Sequence, residues 1–226
     1  MKTGFTLSEV LITLGIIGVV AALTIPSVVN NYKKQQFRTG LKKEYSVLLQ
    51  ALDMYKEANG EPLKKENCTL KLGAFKDIIK PYLKILVDCG NNQAAGFNGK
   101  CVANGAYTSK YTYKTYSGIN ARETFFDDGQ LILNDGSHLL FENSNSVTFN
   151  GTVYVSVDIN GYNKLPNKWG EDVFTFQLMD DGRLLPMGAE DTDYTDQNIY
   201  CSKTSTNSFN GIGCTQRALS DENFWK

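Results

Sequence analysis

From Val10 to Tyr32 the chain reads VLITLGIIGVVAALTIPSVVNNY, 23 residues without a charge. As a helix rising about 1.5 Å per residue this run is about 35 Å long, enough to cross the hydrocarbon core of a bilayer. Beyond it the pattern becomes amphipathic. Phe37, Leu41, Tyr45, Leu48, Leu52 and Tyr55 recur three or four residues apart, with Lys33, Lys34, Arg38, Lys42, Lys43 and Glu44 on the other faces. Gly60 and Pro62 are stop signals. The pattern predicts one long helix over residues 5–59, with a membrane-compatible half at 5–32 and an amphipathic half at 33–59.

Residues 60–226 read as one globular domain without repeats or low-complexity tracts. Helical spacing in AFKDIIKPYLKIL predicts a short helix over 74–86, bent or restarted at Pro81. Residues 90–120 are rich in Gly, Asn, Tyr and Ser and suggest a long surface excursion. From Thr124 the period becomes two, predicting strands at 122–126, 130–134, 137–142, 146–149, 152–159, 172–179 and 183–186. Asp128-Gly129 and Asp135-Gly136 stand between the first three of these as hairpin turns. The expected architecture is α+β, an antiparallel sheet packed on the amphipathic half of the helix.

Composition narrows the function classes. Twenty-three basic and 24 acidic residues leave a formal charge of −1, so bulk attraction to nucleic acid or to an anionic membrane is not expected, which leaves room only for small local patches. All five cysteines lie after residue 60, which suits an oxidising compartment for the domain. There is no CxxC pair, and His138 is the single histidine, so a zinc site is not expected. Five cysteines allow about fifteen two-bridge pairings. A Cys89 to Cys101 bridge would close the polar excursion, and Cys201 and Cys214 bracket a Ser/Thr/Asn/Gly loop, leaving Cys68 as the odd thiol. No nucleophile elbow, zincin helix or P-loop surrounds any Ser, His or Asp, so the chain reads as a non-enzyme and His138 as a packed strand residue.

The apolar run has a plainer explanation, a secretory signal with Lys2 as its basic region and Val20-Ala21-Ala22 as its cleavage site. Two features oppose it. Glu9 stands at the edge of the run, where a carboxylate carried toward the bilayer centre costs about 2.5–3.5 kcal/mol. The helical pattern also continues across Pro26 into the amphipathic half. The segment Gly4-Phe5-Thr6-Leu7-Ser8-Glu9, with LITLGIIGVVAALTIP following from Leu11, closely resembles the N-terminal signal of type IV pilins and type II secretion pseudopilins over residues 4–59.

That resemblance implies cleavage by a prepilin peptidase between Gly4 and Phe5, removal of the leader 1–4, and methylation of the new Phe5 amine. It implies a pilin-like roll and a structural subunit in a secretion or pilus filament, in contact with other pilin-type subunits and an inner-membrane assembly platform, with a secreted protein as a further candidate partner. Glu9 would pair with a neighbour's terminal amine, each group being costly alone in lipid. Pro26 matches the family's helix proline, where a lost N–H permits a kink or local melting. A membrane-tethered module capturing DNA or a secretion substrate is the alternative function. The positive-inside tendency would hold Lys33, Lys34 and Arg38 in the cytoplasm against Lys2 alone. The resemblance and the downstream cysteines instead put the domain outside a single-pass inner (cytoplasmic) membrane anchor, in a periplasmic or extracellular filament.

The segment from Asp158 to Phe174 gathers oxygen ligands between two strands and is also similar to a pilin-like pattern, DxNGxxxxPNxxGxDxFxF followed by Gly182-Arg183-Leu184-Leu185-Pro186. Asp158, Asn160 and Asp172 are candidate calcium ligands, calcium being the one cofactor considered, since it takes six to eight oxygens. The loop is not an EF-hand: glycine stands fourth and Trp169 twelfth from Asp158. Asx turns explain the same residues more simply. Phe224 and Trp225 are expected to anchor the C-terminal tail.

Overall fold

The computed structural model describes residues 4, 6–69, 71, 73–91, 101–102, 112–122, 125–143 and 151–225. Helix α1 runs without interruption from Leu7 to Asn59, passing through Pro26 and ending at Gly60, whose N–H bonds to the Lys56 carbonyl at 2.8 Å. Two short helices follow, α2 (Lys65–Cys68) and α3 (Ala74–Ile79), then a 3₁₀ turn at Lys80–Tyr82. Six strands come next: β1 (Ile85–Asp88), β2 (Gly129–Leu133), β3 (His138–Glu142), β4 (Tyr154–Asp158), β5 (Val173–Leu178) and β6 (Leu184–Pro186). The chain closes with α4 (Gln197–Tyr200), a 3₁₀ turn at Ile212–Cys214, α5 (Thr215–Ser220) and a last 3₁₀ turn at Glu222–Trp225. The strands form one antiparallel meander in chain order. A long helix on an antiparallel sheet is the α+β arrangement expected.

Register assigns the two faces. Leu139 pairs with Val157 and Val157 with Phe174, while Phe141 pairs with Val155 and Val155 with Phe176. These side chains form one core with Leu41, Leu48 and Leu52 of α1. Each fully buried leucine there contributes about 2 kcal/mol. Tyr45 stacks on Phe176 with ring centroids 4.8 Å apart and donates its hydroxyl to the Leu184 carbonyl at 3.0 Å. The tail closes the same core: Trp225 packs on Phe174 and donates from Nε1 to the Ala218 carbonyl at 2.7 Å.

The alternate rows are buried too. Leu140, Tyr154 and Val173 join a second core with Phe125, Trp169, Met187 and Ile212. The sheet therefore lies between α1 and an outer cover of irregular chain, which is why β3, β4 and β5 are buried at every position. Their period of two separates an apolar row from a polar but equally buried row. Polar members at its centre bond to one another: the Ser156 and Thr175 hydroxyls lie 2.7 Å apart, Trp169 Nε1 donates to Thr175 Oγ1, and Thr175 N–H donates to Thr215 Oγ1.

Several sequence expectations are corrected. Residues 85 and 86 belong to β1 rather than to a helix over 74–86. Pro81 ends the helical hydrogen bonding and Ile85 pairs with Leu133. No strand forms at 122–126 among its described residues, where the Phe125 N–H turns back to the Arg122 carbonyl at 3.2 Å and the ring enters the outer aromatic cluster. Asp135-Gly136 does turn the β2–β3 hairpin, with Gly136 at φ 92°. Asp128-Gly129 does not: Gly129 opens β2, and a Cβ there would stand 2.9 Å from Lys76 Cδ. Within the expected excursion, Thr112, Tyr113 and Thr115 are buried as part of the outer cover. The strand expected at 146–149 lies outside the described residues.

Lys76 crosses over that glycine with 2% exposure, and its ammonium donates to Asp88 Oδ1 at 2.7 Å, with Asp77 more distant at 3.6 Å. Burial would raise the Asp88 pKa, but bonds from Lys76, Lys80 and the Gly90 N–H override it and hold the group at about 2. The stabilisation is present above the ordinary carboxylate range and is lost as pH falls toward that value. Asp88→Ala strands a buried ammonium and is expected to cost about 3 kcal/mol in denaturant unfolding, whereas Lys76→Met combined with Asp88→Ala recovers most of it. Equal losses in the single and double variants would show that the pair is not what holds α3 to β1.

Candidate functional site

No residue between Thr6 and Gly40 is buried by the rest of the chain. Leu7, Leu11, Ile12, Leu14, Ile16, Ile17, Val19 and Leu23 are each at least 60% exposed, and the most apolar 18-residue window has a mean hydropathy of 2.3. The threonine hydroxyls in this stretch are satisfied within the helix. Thr13 donates to the Glu9 and Val10 carbonyls and Thr24 to the Val20 carbonyl, as a segment without water requires. The helix is long and apolar enough to serve as a single membrane span.

Glu9 and Thr6 form a reciprocal cap at its start. Glu9 N–H donates to Thr6 Oγ1 at 3.2 Å, and Thr6 donates both its N–H and its hydroxyl to Glu9 Oε2 at 2.8 Å. In the single chain the carboxylate thus has a local partner, one residue from the expected cleavage position. Gly4 is exposed, while Phe5 lies outside the described residues. Pro26 sits in continuous helix in the isolated chain; melting would be a property of the packed filament.

The Asp158–Asp172 loop brings its two carboxylates into the closed interior, both fully buried. Asp158 Oδ1 accepts from Asn160 N–H at 3.3 Å and Gly161 N–H at 2.9 Å, and Oδ2 accepts from the Tyr113 hydroxyl at 2.9 Å. Asp172 Oδ2 accepts from Asn167 N–H at 2.9 Å and Oδ1 from Lys168 N–H at 2.7 Å. Gly161 rests on the β2–β3 turn so closely that a Cβ would stand 2.5 Å from the Gly136 carbonyl oxygen. Burial and then the charge of Asp172 raise Asp158 well above the carboxylate range, and burial raises Asp172 to about 7.

The sequence candidates Asp158, Asn160 and Asp172 do converge, and Asn160 Oδ1 is buried without a partner. Several of the loop's other oxygens already accept hydrogen bonds. The carbonyls of Gly161, Tyr162, Lys164 and Asn167 accept from Lys164, Asn167, Asn160 and Lys114 respectively. Asx-type closure accounts for these bonds without a metal. Tyr113 was not legible as a member of this site, because its segment carries no spacing that ties it to Asp158.

Both expected disulfides are present, Cys89–Cys101 and Cys201–Cys214, with Cα separations of 5.9 and 4.9 Å. Closing loops of this length contributes up to about 3 kcal/mol each in the chain-entropy account. Cys68 is free and buried, its pKa pushed up to about 12 by burial. His138 is enclosed in β3, neither ring nitrogen has a hydrogen-bond partner, and burial lowers its pKa to about 4. Asp127, Asp128 and Glu142 bring carboxylate oxygens within 4.8 Å of one another. That gathering follows from the pairing of Gly129 with Phe141, which sequence spacing does not display.

Because Asp158 and Asp172 bind protons more tightly when folded, stability should fall as pH rises from the carboxylate range through about 7. Asp158→Asn keeps the acceptor for the two amides and should flatten that slope in thermal melts. Calcium is expected to leave the melting temperature at neutral pH equal to that in chelator. A calcium-dependent rise, abolished by Asp172→Ala, would instead establish a metal in the loop.

Comparison of the chain with family models, with curated proteins and with solved structures returns no match.

Proposed function

We propose that the protein is a structural subunit, a pseudopilin or minor pilin, of a type II secretion or type IV pilus filament. In this reading a prepilin peptidase cuts between Gly4 and Phe5, α1 holds the protein in the inner membrane, and the domain lies outside until the subunit joins a filament. The observation that carries it is the bare first half of α1, an uncharged and mainly apolar surface that is exposed over residues 10–32 apart from Ala21. Lipid covers such a surface before assembly and equivalent helices cover it afterwards. The motif around Gly4 and Glu9 supplies the second support. Cleavage would create an amine at Phe5, next to the Thr6 amide that Glu9 already accepts. Exchanging this local partner for a neighbour's amine would select one stagger between subunits. Nothing in the reading requires catalysis.

Two measurements test it. Intact mass of protein from a peptidase-competent host should correspond to methylated Phe5 at the terminus, and Gly4→Ala should leave the leader attached; a start near Ala22 or Leu23 would mean a secretory signal. Glu9→Ala should leave insertion and folding unchanged but lower crosslinking between neighbouring helices about tenfold at matched membrane abundance. Undiminished crosslinking would remove Glu9 from assembly.

A further inference from the structure

Where α1 leaves its apolar half, a groove of about 1140 Å³ opens between the helix, the Asp158–Asp172 loop and the C-terminal tail. Its walls include Asn30 and Tyr32 at the end of the uncharged run, and also Lys164, Leu165 and Lys203, which are far away in sequence. Five lysines and three carboxylates line it. The carboxylates are already engaged: Lys43 holds Glu44 and Asp135, and Lys168 holds Glu171. Among the described residues no carboxylate lies within salt-bridge distance of Lys33, Lys164 or Lys203, and all three are exposed. Beside them Tyr32 is 70% and Leu165 58% exposed.

Resting on the reading of α1 as a membrane anchor, we propose that this basic, apolar-tipped rim docks on the anionic lipid headgroups of the leaflet that the helix leaves. If the uncharged run occupies the hydrocarbon core, its last residues, Asn30 to Tyr32, lie at the headgroup level. Lys164, Leu165 and Lys203 share the groove with those residues. An exposed tyrosine and leucine next to lysines suit the interface, where apolar bodies enter the acyl boundary and ammonium groups meet phosphate. The docking also accounts for Lys33 standing just outside the span against the positive-inside tendency: its charge is used on lipid. It would hold the domain against the membrane before assembly and release it as α1 is drawn into a filament.

The test uses the full chain in vesicles of phosphatidylcholine alone or mixed with phosphatidylglycerol, with an environment-sensitive fluorophore on Leu165→Cys. Cys68 is buried and stays unlabelled. A control label on Asp180→Cys reports from beyond the far end of α1, where Lys65 of α2 pairs with Asp180; α1 ends at Asn59, about 40 Å along the helix from Tyr32. Blue-shifted, brighter emission at 165 and not at 180 is expected only with the anionic lipid, and it should reverse in high salt. Each of Lys33→Gln, Lys164→Gln and Lys203→Gln should lower the docked-to-free ratio about fivefold. Equal emission in neutral and anionic vesicles overturns the proposal, as does a signal that follows protein density instead of lipid charge, which would assign the groove to a second copy of the chain. Flotation separates the two readings. A chain that does not float overturns the anchor and the docking together, while one that floats without a lipid-charge response overturns the docking alone.

Discussion

A single unbroken helix has to satisfy two different surroundings, and the change falls near residue 40. From Val10 to Tyr32 the helix is uncharged and, apart from Ala21, exposed; from Phe37 onward, with Leu41, Leu48 and Leu52, it buries one stripe against the sheet. Hydrophobic burial is non-directional, so the bare half accepts lipid or like helices equally well. The rigid connection fixes where the domain sits relative to whichever medium covers that half. The groove beside Tyr32 and the orientation of the loop and tail both follow from that connection.

The domain supports the helix by covering its sheet twice. One face packs on α1, and the other carries an irregular layer of aromatic and polar chain tied down by two disulfides. This cover has little regular secondary structure to satisfy its backbone, so side chains take over the task. Asp158 and Asp172 accept amides across their loop, Asn210 bonds to the Ser202 and Ser205 carbonyls, and Asn143 bridges the Cys68 and Lys71 carbonyls. Buried polar groups are tolerable only when paired in this way. The same requirement explains why Lys76 and Asp88 are held together at 2.7 Å under α3.

Sequence by itself determined the elements whose signals are local. The uncharged run, the three-and-four spacing after Phe37, the Gly60 stop, the Asp135-Gly136 turn and most strand positions were all legible, because each depends on residues a few places apart. The two disulfides followed from which cysteines bracket polar loops, and the calcium candidates from oxygen-bearing residues crowded into one loop. Tertiary structure decided what depends on contacts between distant segments. It made Ile85-Leu86 a strand edge instead of a helix end, since a short apolar run fits either period until β2 offers a ladder. It turned Asp128-Gly129 from a turn into the space that Lys76 needs. It brought Tyr113 from an apparent excursion onto Asp158 and buried a polar strand face that alternation would have left in water. Periodicity reports how a segment divides its own side chains between two faces; what covers each face is set by long-range packing, which no local spacing encodes.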